Sequence, residues 1–231
     1  MGPVRLLCVP DVLAAVAYGS PFFTAGFEPF GSHAVNSSWV AVQELERLGL
    51  GEEVDLHVCE LPVDYLAVQN ILPSLWKEHQ PQLAVHVGVS GIATSVTLEQ
   101  YGHNQGYQRL DNRSFCPASR CCMENGPDEI KSVIDMDMVC KRVSGSNIGI
   151  TVSVSKDAGR YLCDYTYYTS LHQGQGRSAF VHVPPLGAPY SSGELGRGLQ
   201  AVIKEMLSLL EADYTEEELK DNKHCRHREQ H

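Results

Sequence analysis

A cysteine and a histidine in the C-terminal half of the chain have the types and surroundings that nucleophilic catalysis needs. Cys163 follows a predicted strand and the polar segment 157–160, and it stands at the predicted start of a helix. Unpaired backbone N–H groups at a helix start stabilise negative charge, so they favour the thiolate, which is the nucleophilic form of the thiol. His182 lies in a short apolar strand, which a neighbouring parallel strand could bring beside the sulfur. The chain has 8 Cys and 10 His, so a buried thiol and a core histidine remain the alternative interpretation.

Strands and helices alternate along the part of the chain that must position these two residues. Asn36, Ser37 and Ser38 can cap a helix that Gly49 ends. From residue 54 onward, apolar runs typical of strands alternate with segments of helical spacing, which predicts a layered α/β domain. The predicted strands are 54–61, 83–89, 148–154 and 179–183, and the predicted later helices are one opened by Pro62, then 129–143 and 194–210. Residues 100–128 are the longest stretch without periodicity, and a loop of that length is usually functional.

Length, charge and cysteine spacing exclude several classes of protein. The 231 residues suit one α/β domain, and no linker marks a domain boundary. A net charge of −10 repels phosphate backbones, so we expect no nucleic-acid partner. No apolar run approaches the length of a membrane span. The eight cysteines lack the dense spacing of a small secreted scaffold, which favours a cytoplasmic protein with reduced thiols.

Three cysteines within the long loop invite a metal interpretation that their spacing does not support. Cys116, Cys121 and Cys122 form a C-x4-CC pattern, whereas structural zinc sites use paired spacings. We therefore expect no metal site.

Five motifs occur in an order that resembles one enzyme family. They are FEPFG at 27–31, VGVSG at 87–91, TLE at 97–99, DAGRYLC at 157–163 and FVHVPPLG at 180–187. Together they resemble the pyroglutamyl-peptidase I family, cysteine peptidases that remove N-terminal pyroglutamate, over residues 24–210, with its I-like branch as the closest match. The resemblance implies a single three-layer α/β/α sandwich around a mixed, twisted sheet. It also implies a cytosolic enzyme without metal or organic cofactor, whose substrates are N-terminally pyroglutamylated peptides. The sequence does not determine the oligomeric state, for which a monomer is favoured.

The resemblance assigns catalytic roles to three residues. Cys163 would be the nucleophile, and His182 would act as its general base and acid. Glu99 would accept the imidazole N–H and stabilise the imidazolium. Without the motif, Glu99 would be interpreted as a surface carboxylate.

Five further residues are expected to bind the substrate. Phe27 and Phe30 match the family's aromatic residues around the pyrrolidone ring, a small neutral lactam with two apolar faces that suits such walls. The alternative is that both rings belong to the core. Tyr161 and Leu162 precede the nucleophile and are expected to contact the substrate, and Arg109 is expected to aid the oxyanion.

The N-terminal segment departs from the family pattern. Residues 1–23 are expected to be a divergent extension, 24–211 the peptidase-like domain and 212–231 a polar, disordered tail. Pro21 falls where the family has a central strand, in which proline is poorly tolerated, so we expect that strand to be lost. Glu28 would add a carboxylate beside a pocket for a neutral ring. These departures leave open a catalytically weak or inactive paralogue that binds peptide ends or acts as an interaction protein. A nucleoside phosphorylase is disfavoured because no basic phosphate-binding set is present.

Overall fold

The fold is that of a computed structural model, which describes residues 19–31 and 34–228, with side chains as far as residue 212. The described residues form the following strands and helices: β1 (Ser20–Phe27), α1 (Ser37–Leu48), β2 (Val54–Leu61), α2 (Tyr65–His79), β3 (Leu83–Val89), β4 (Val96–Glu99), β5 (Tyr101–His103), β6 (Glu129–Lys131), α3 (Met136–Gly145), β7 (Val152–Ser155), α4 (Leu162–Gln173), β8 (Ser178–Val183) and α5 (Ser192–Arg228). None of these helices is long and apolar enough to cross a membrane.

Six strands make one mixed sheet in the spatial order β2-β1-β3-β8-β4-β7. The first four of these are parallel to one another, β4 pairs antiparallel with β8, and β7 pairs parallel with β4. The carboxyl ends of β1, β3 and β8 therefore meet at one end of the sheet, which is where ligands bind in many α/β proteins. The remaining strands, β5 and β6, form a separate hairpin.

Two hydrophobic layers cover the sheet because its strands alternate in the direction of their side chains. Phe22, Val85 and Val181 pack with α1, α3 and α5 on one face. Phe23 and Phe180 pack with α2 and α4 on the other face. The predicted three-layer α/β/α sandwich around a mixed sheet is confirmed.

The first strand is intact, so the expected loss of this strand is wrong. β1 pairs with β2 from Ser20 onward, but its pairing with β3 begins only at Phe22. The carbonyl of Pro21 accepts from Gln82 N at 3.0 Å, so the nitrogen of Pro21 faces the same side, ahead of the first residue of β3. No ladder hydrogen bond is lost there, which is why proline is tolerated at a strand start. The strand also begins four residues before the expected domain boundary at 23/24.

Several other helix and strand boundaries differ from those that the sequence periodicity predicts. The segment predicted as a helix over 129–143 divides into β6 and α3, because the Asp135 side chain caps the helix at Met138 N. The helix expected at Pro62 starts at Tyr65, where Asp64 provides the cap. Strand β7 begins at Val152 rather than at residue 148. Helix α5 continues to Arg228, through most of the segment expected to be a disordered tail. The predicted strands 54–61 and 83–89 coincide with β2 and β3.

Candidate active site

A buried carboxylate orients the histidine of the predicted catalytic set. Strands β4 and β8 pair antiparallel, with Thr97 opposite His182 and Glu99 opposite Phe180. This register brings Nδ1 of His182 within 2.8 Å of Oε1 of Glu99, and only 8% and 2% of the two residues is exposed. Because Nδ1 donates to the carboxylate, Nε2 is left to face the thiol.

The thiol of Cys163 lies in the first turn of α4, as the sequence predicts. Tyr161 is the N-cap and has no side-chain capping bond, so the N–H groups of the first turn keep their capacity for a negative ligand. The thiol is half-buried and free, and it lines the same cavity as His182 and Glu99. Cys163, His182 and Glu99 therefore share one site, in which Glu99 bonds to His182 and the thiol interacts electrostatically with the imidazole.

The charge state of His182 follows from its two neighbours. Burial by itself lowers the pKa of His182, because the cation loses its hydration. The Cys163 thiolate and, less strongly, the Glu99 carboxylate outweigh burial and raise the pKa of His182 to about 10. At neutral pH His182 is therefore an imidazolium, which can deliver a proton to a leaving group.

The long loop over 100–128 holds the start of α4 in place. Asp164, the residue after the nucleophile, is fully buried. Its carboxylate accepts hydrogen bonds from His103 N at 3.2 Å and Tyr107 OH at 3.1 Å, and it pairs with Arg160 Nη1 at 3.3 Å. Burial raises the pKa of Asp164 to about 6, despite the positive charges nearby. The loop is therefore structured around the nucleophile, a role that its lack of periodicity could not reveal.

The eight predicted site residues line one cavity of about 600 Å³. Phe27 is almost fully buried, and its ring centroid lies 6.4 Å from that of Phe180, so it belongs both to the core and to the cavity wall. The guanidinium of Arg109 stacks 4.2 Å from the ring centroid of Tyr161, whose hydroxyl donates to Leu110 O. Phe27, Phe30, Glu99, Arg109, Tyr161, Leu162, Cys163 and His182 all line it.

Close packing of α1 against β1 fixes the turn that carries Phe27 and Phe30. Ser38 Oγ accepts from Phe27 N at 3.0 Å, and Asn36 donates to Glu28 O at 3.0 Å. A Cβ at Gly26 would lie 2.6 Å from Cα of Trp39, so glycine is needed for this approach.

The Glu28 carboxylate is held by the segment that leads into α2, and Glu28 is not a lining residue of the cavity. Its Oε1 accepts from Val63 N at 3.0 Å and from Asn112 at 3.3 Å, and it is absent from the cavity lining. Glu28 therefore ties the turn after β1 to the start of α2.

Part of the cavity wall was not predicted from the sequence. The loop after β3 contributes Ser90, Ile92, Thr94 and Ser95, and β4 contributes Thr97. Ser90 and Thr97 lie within the quoted motifs VGVSG and TLE and the others lie between these motifs, which is the one signal that could have indicated them. No three His, Cys, Asp or Glu side chains in the described part of the chain are grouped so as to hold a metal ion.

This chain is similar to proteins of one known family, both in sequence and in fold. A model of the pyroglutamyl peptidase family matches residues 22–194. The pyroglutamyl-peptidase 1 proteins of Rattus norvegicus and Homo sapiens are each 66% identical over 186 residues, which cover 80% of this chain and 89% of theirs. The human pyroglutamyl-peptidase 1-like protein has a lower identity, 49% over 166 residues, which cover 71% of this chain and 84% of its own. Among solved structures, a mutant pyrrolidone carboxyl peptidase from Pyrococcus furiosus has the same fold, with a TM-score of 0.75 at 23% identity over 82% of this chain and 99% of that one.

Proposed function

The chain belongs to the pyroglutamyl peptidase family, and we propose that it is a cysteine peptidase that hydrolyses the N-terminal pyroglutamyl residue from peptides. One observation carries the proposal. Glu99 Oε1 lies 2.8 Å from Nδ1 of His182, and both residues line one cavity with the Cys163 thiol, Phe27 and Phe30. A nucleophile, its base and an apolar slot for a flat ring thus share one space.

The first half of the reaction forms a thioester. The Cys163 thiolate attacks the carbonyl carbon of the pyroglutamyl residue, and a C–S bond forms. The peptide C–N bond then breaks, and the leaving nitrogen takes the proton from the His182 imidazolium. Glu99 holds the imidazole so that Nε2 faces this nitrogen, because Nδ1 is engaged with the carboxylate.

The second half regenerates the enzyme. Water gives a proton to Nε2 of His182 and attacks the thioester carbonyl. The C–S bond breaks, pyroglutamic acid leaves, and the thiolate–imidazolium pair is restored. In both halves, N–H groups at the start of α4 stabilise the oxyanion, and Arg109 contributes a positive charge from the cavity wall.

The apolar walls account for the choice of substrate. The lactam has no charge to pair and two flat faces, which suit Phe27, Phe30, Tyr161 and Leu162. A free N-terminal amine would lose its hydration against these rings without gaining a counter-charge from them. We therefore expect prolyl and glutaminyl peptides to be poor substrates.

A catalytically weak paralogue is the less supported alternative. It depended on a lost first strand and on a carboxylate in the pocket. β1 is paired on both sides, and the Glu28 carboxylate is hydrogen-bonded to Val63 N and Asn112 and does not line the cavity, so both reasons lose their support.

The compartment follows from the chemistry of the nucleophile. Cys163 must stay reduced to attack a carbonyl, and it is a free thiol in this structure. We propose that the enzyme acts in the reducing cytosol as a monomer.

Release of aminomethylcoumarin from pyroglutamyl-aminomethylcoumarin by purified protein tests the proposal. We expect turnover that a Cys163→Ser variant loses, which controls for a contaminating peptidase. Prolyl-aminomethylcoumarin should be a poorer substrate by about a hundredfold or more. Equal turnover of the two substrates, or turnover that survives in Cys163→Ser, would contradict the assignment.

A further inference from the structure

Three hydroxyl groups form a row beside His182, and the reaction described above gives them no role. Ser95 Oγ lies 3.0 Å from Ser153 Oγ, and Thr97 Oγ1 lies 3.2 Å from the same atom. All three side chains are half-buried. We refer to Ser95, Thr97 and Ser153 as the hydroxyl row.

The order of the strands places the hydroxyl row on one side of His182. The wall formed by Phe27 and Phe30, which we call the ring pocket, lies on the other side. Phe27 ends β1, His182 lies on β8 two strands further across, and β4 and β7 follow. Thr97 is paired with His182 across β4 and β8, so the two side chains lie on one face of the sheet. Ser153 is paired with Thr97 across β7 and β4, so the row continues on that face towards the sheet edge. Ser95 and Thr97 line the cavity.

The course of a bound peptide follows from the proton that His182 delivers. The pyroglutamyl ring occupies the Phe27 and Phe30 side, and the carbonyl carbon sits at Cys163. The leaving nitrogen must lie within hydrogen-bond reach of His182. The chain beyond that nitrogen therefore runs past His182 towards β4 and β7, where it meets the hydroxyl row.

The hydroxyl row has donor and acceptor positions that its own two hydrogen bonds do not use. Each hydroxyl has one donor and two acceptor positions. The two contacts within the row use two of its three protons, which leaves one donor and several lone pairs for other partners, and Ser95 and Thr97 line the cavity. Peptide N–H and C=O groups need both kinds of partner, whatever side chains they carry.

We propose that the hydroxyl row binds the peptide main chain on the leaving side of the scissile bond. This inference rests on the proposed peptidase function and adds its second binding region. The ring pocket selects the first residue. The row holds the following amides without selecting their side chains, so the substrate class is pyroglutamyl peptides of varied sequence.

A comparison of two substrates tests this site. Pyroglutamyl-alanyl-alanine amide has a main chain beyond the scissile bond, whereas pyroglutamyl-aminomethylcoumarin has none. We expect Ser95→Ala and Thr97→Val, the two row residues that line the cavity, each to lower the ratio of kcat/KM for the peptide to kcat/KM for the coumarin by about tenfold, mainly through KM of the peptide. Ser74→Ala is the matched control, because its hydroxyl bonds only to Asn70 O within α2. This control should leave the ratio at the wild-type value.

The outcomes separate this proposal from the one on which it rests. A wild-type protein that hydrolyses neither substrate overturns the peptidase function. If the wild-type protein hydrolyses both and the row variants keep the wild-type ratio, the hydroxyl row is overturned alone. Equal losses on both substrates overturn it as well, since they indicate that the row positions His182 or the attacking water. Circular dichroism of each variant establishes that the fold is retained.

Discussion

Gly88 lies directly beneath the nucleophile, so close that a Cβ at this position would be 2.9 Å from Sγ of Cys163. The same Cβ would be 2.8 Å from Cζ of Phe180. Gly88 is paired with His182 across β3 and β8. Because Gly88 has no side chain, the backbone of β3 leaves room there for the sulfur of Cys163 beside the imidazole of His182.

A Gly88→Ala substitution should impair catalysis more than stability. The added methyl must push the sulfur away from the imidazole, and a displacement of this kind costs about a hundredfold in kcat. Overpacking against Phe180 should cost about 1–3 kcal/mol in the free energy of unfolding. Steady-state kinetics and urea denaturation measure the two effects. Gly145→Ala, where nothing lies within 4 Å of the new Cβ, is the matched control. Unchanged kcat in Gly88→Ala would show that the sulfur does not need this position.

Glu99→Gln should lower kcat on the order of 10³-fold, because either orientation of the new amide is unfavourable. Oε2 of Glu99 is buried and has no hydrogen-bond partner among the described residues, so an NH2 group there would be an unsatisfied donor. An NH2 group at the other position faces Nδ1 of His182 and forces the imidazole proton onto the side of Cys163. Stopped-flow acylation with the coumarin substrate measures the loss. Activity within about threefold of wild type would remove Glu99 from the catalytic set.

Removal of the thiol should lower the pKa of His182. In the wild-type protein this pKa is raised to about 10, and the Cys163 thiolate is the largest cause that raises it. In Cys163→Ala, burial still lowers the pKa of His182, and of the two groups that raise this pKa only Glu99 remains. The Cε1 proton of His182 in NMR spectra should therefore titrate at lower pH in the variant. An unchanged titration would mean that the thiol is not ionised beside the imidazole.

The same raised pKa predicts how stability depends on pH. An unfolded histidine titrates near 6.5, so protonation of His182 stabilises the folded state. This contribution is complete below pH 6.5 and is lost as the pH rises through about 10. In Cys163→Ala this stabilising contribution should be lost completely at a lower pH than in the wild-type protein. Urea denaturation at a series of pH values measures the difference. Parallel curves for the two proteins would contradict the prediction.

Iodoacetamide near pH 7 should modify Cys163 before the other cysteines, because its neighbour is an imidazolium. Cys122 should react late, since burial raises the pKa of its thiol well above the ordinary range. Peptide mass spectrometry at successive times gives the order, and loss of activity should follow the Cys163 adduct alone. Labelling of Cys59 or Cys140 at the same rate, with activity retained, would refute the assignment.

Thr24→Val should stabilise the protein by about 1 kcal/mol without changing kcat. Thr24 is fully buried in β1, and its hydroxyl has no hydrogen-bond partner among the described residues. Valine has nearly the same shape and removes the unsatisfied group. Thermal denaturation measures the gain. Thr24→Ser, which keeps the hydroxyl and removes a methyl group, is the comparison and should be less stable than wild type. A destabilised Thr24→Val would mean that the hydroxyl is hydrogen-bonded in solution.

Local signals in the sequence were enough to predict the elements that carry the chemistry. The Asn36 cap and Gly49 gave the limits of α1, and apolar runs gave β2 and β3. The start of α4 was also correct, which put Cys163 in the first turn of a helix. Caps and periodic runs act over a few residues, so they can be interpreted without knowledge of the fold. The motif order indicated the family and eight of the residues that line the cavity.

Only the tertiary structure decided which distant groups meet. Glu99 and His182 are 83 residues apart in sequence, and Thr97 and Ser153 are 56 apart. Their contacts depend on strand order and register, which periodicity does not report because it records burial and not the identity of a partner. Pro21 was misjudged for the same reason. A proline breaks a ladder only where a strand is paired on the side that its nitrogen faces. Pro21 pairs with β2 on the other side, and β3 begins one residue too late to pair with it.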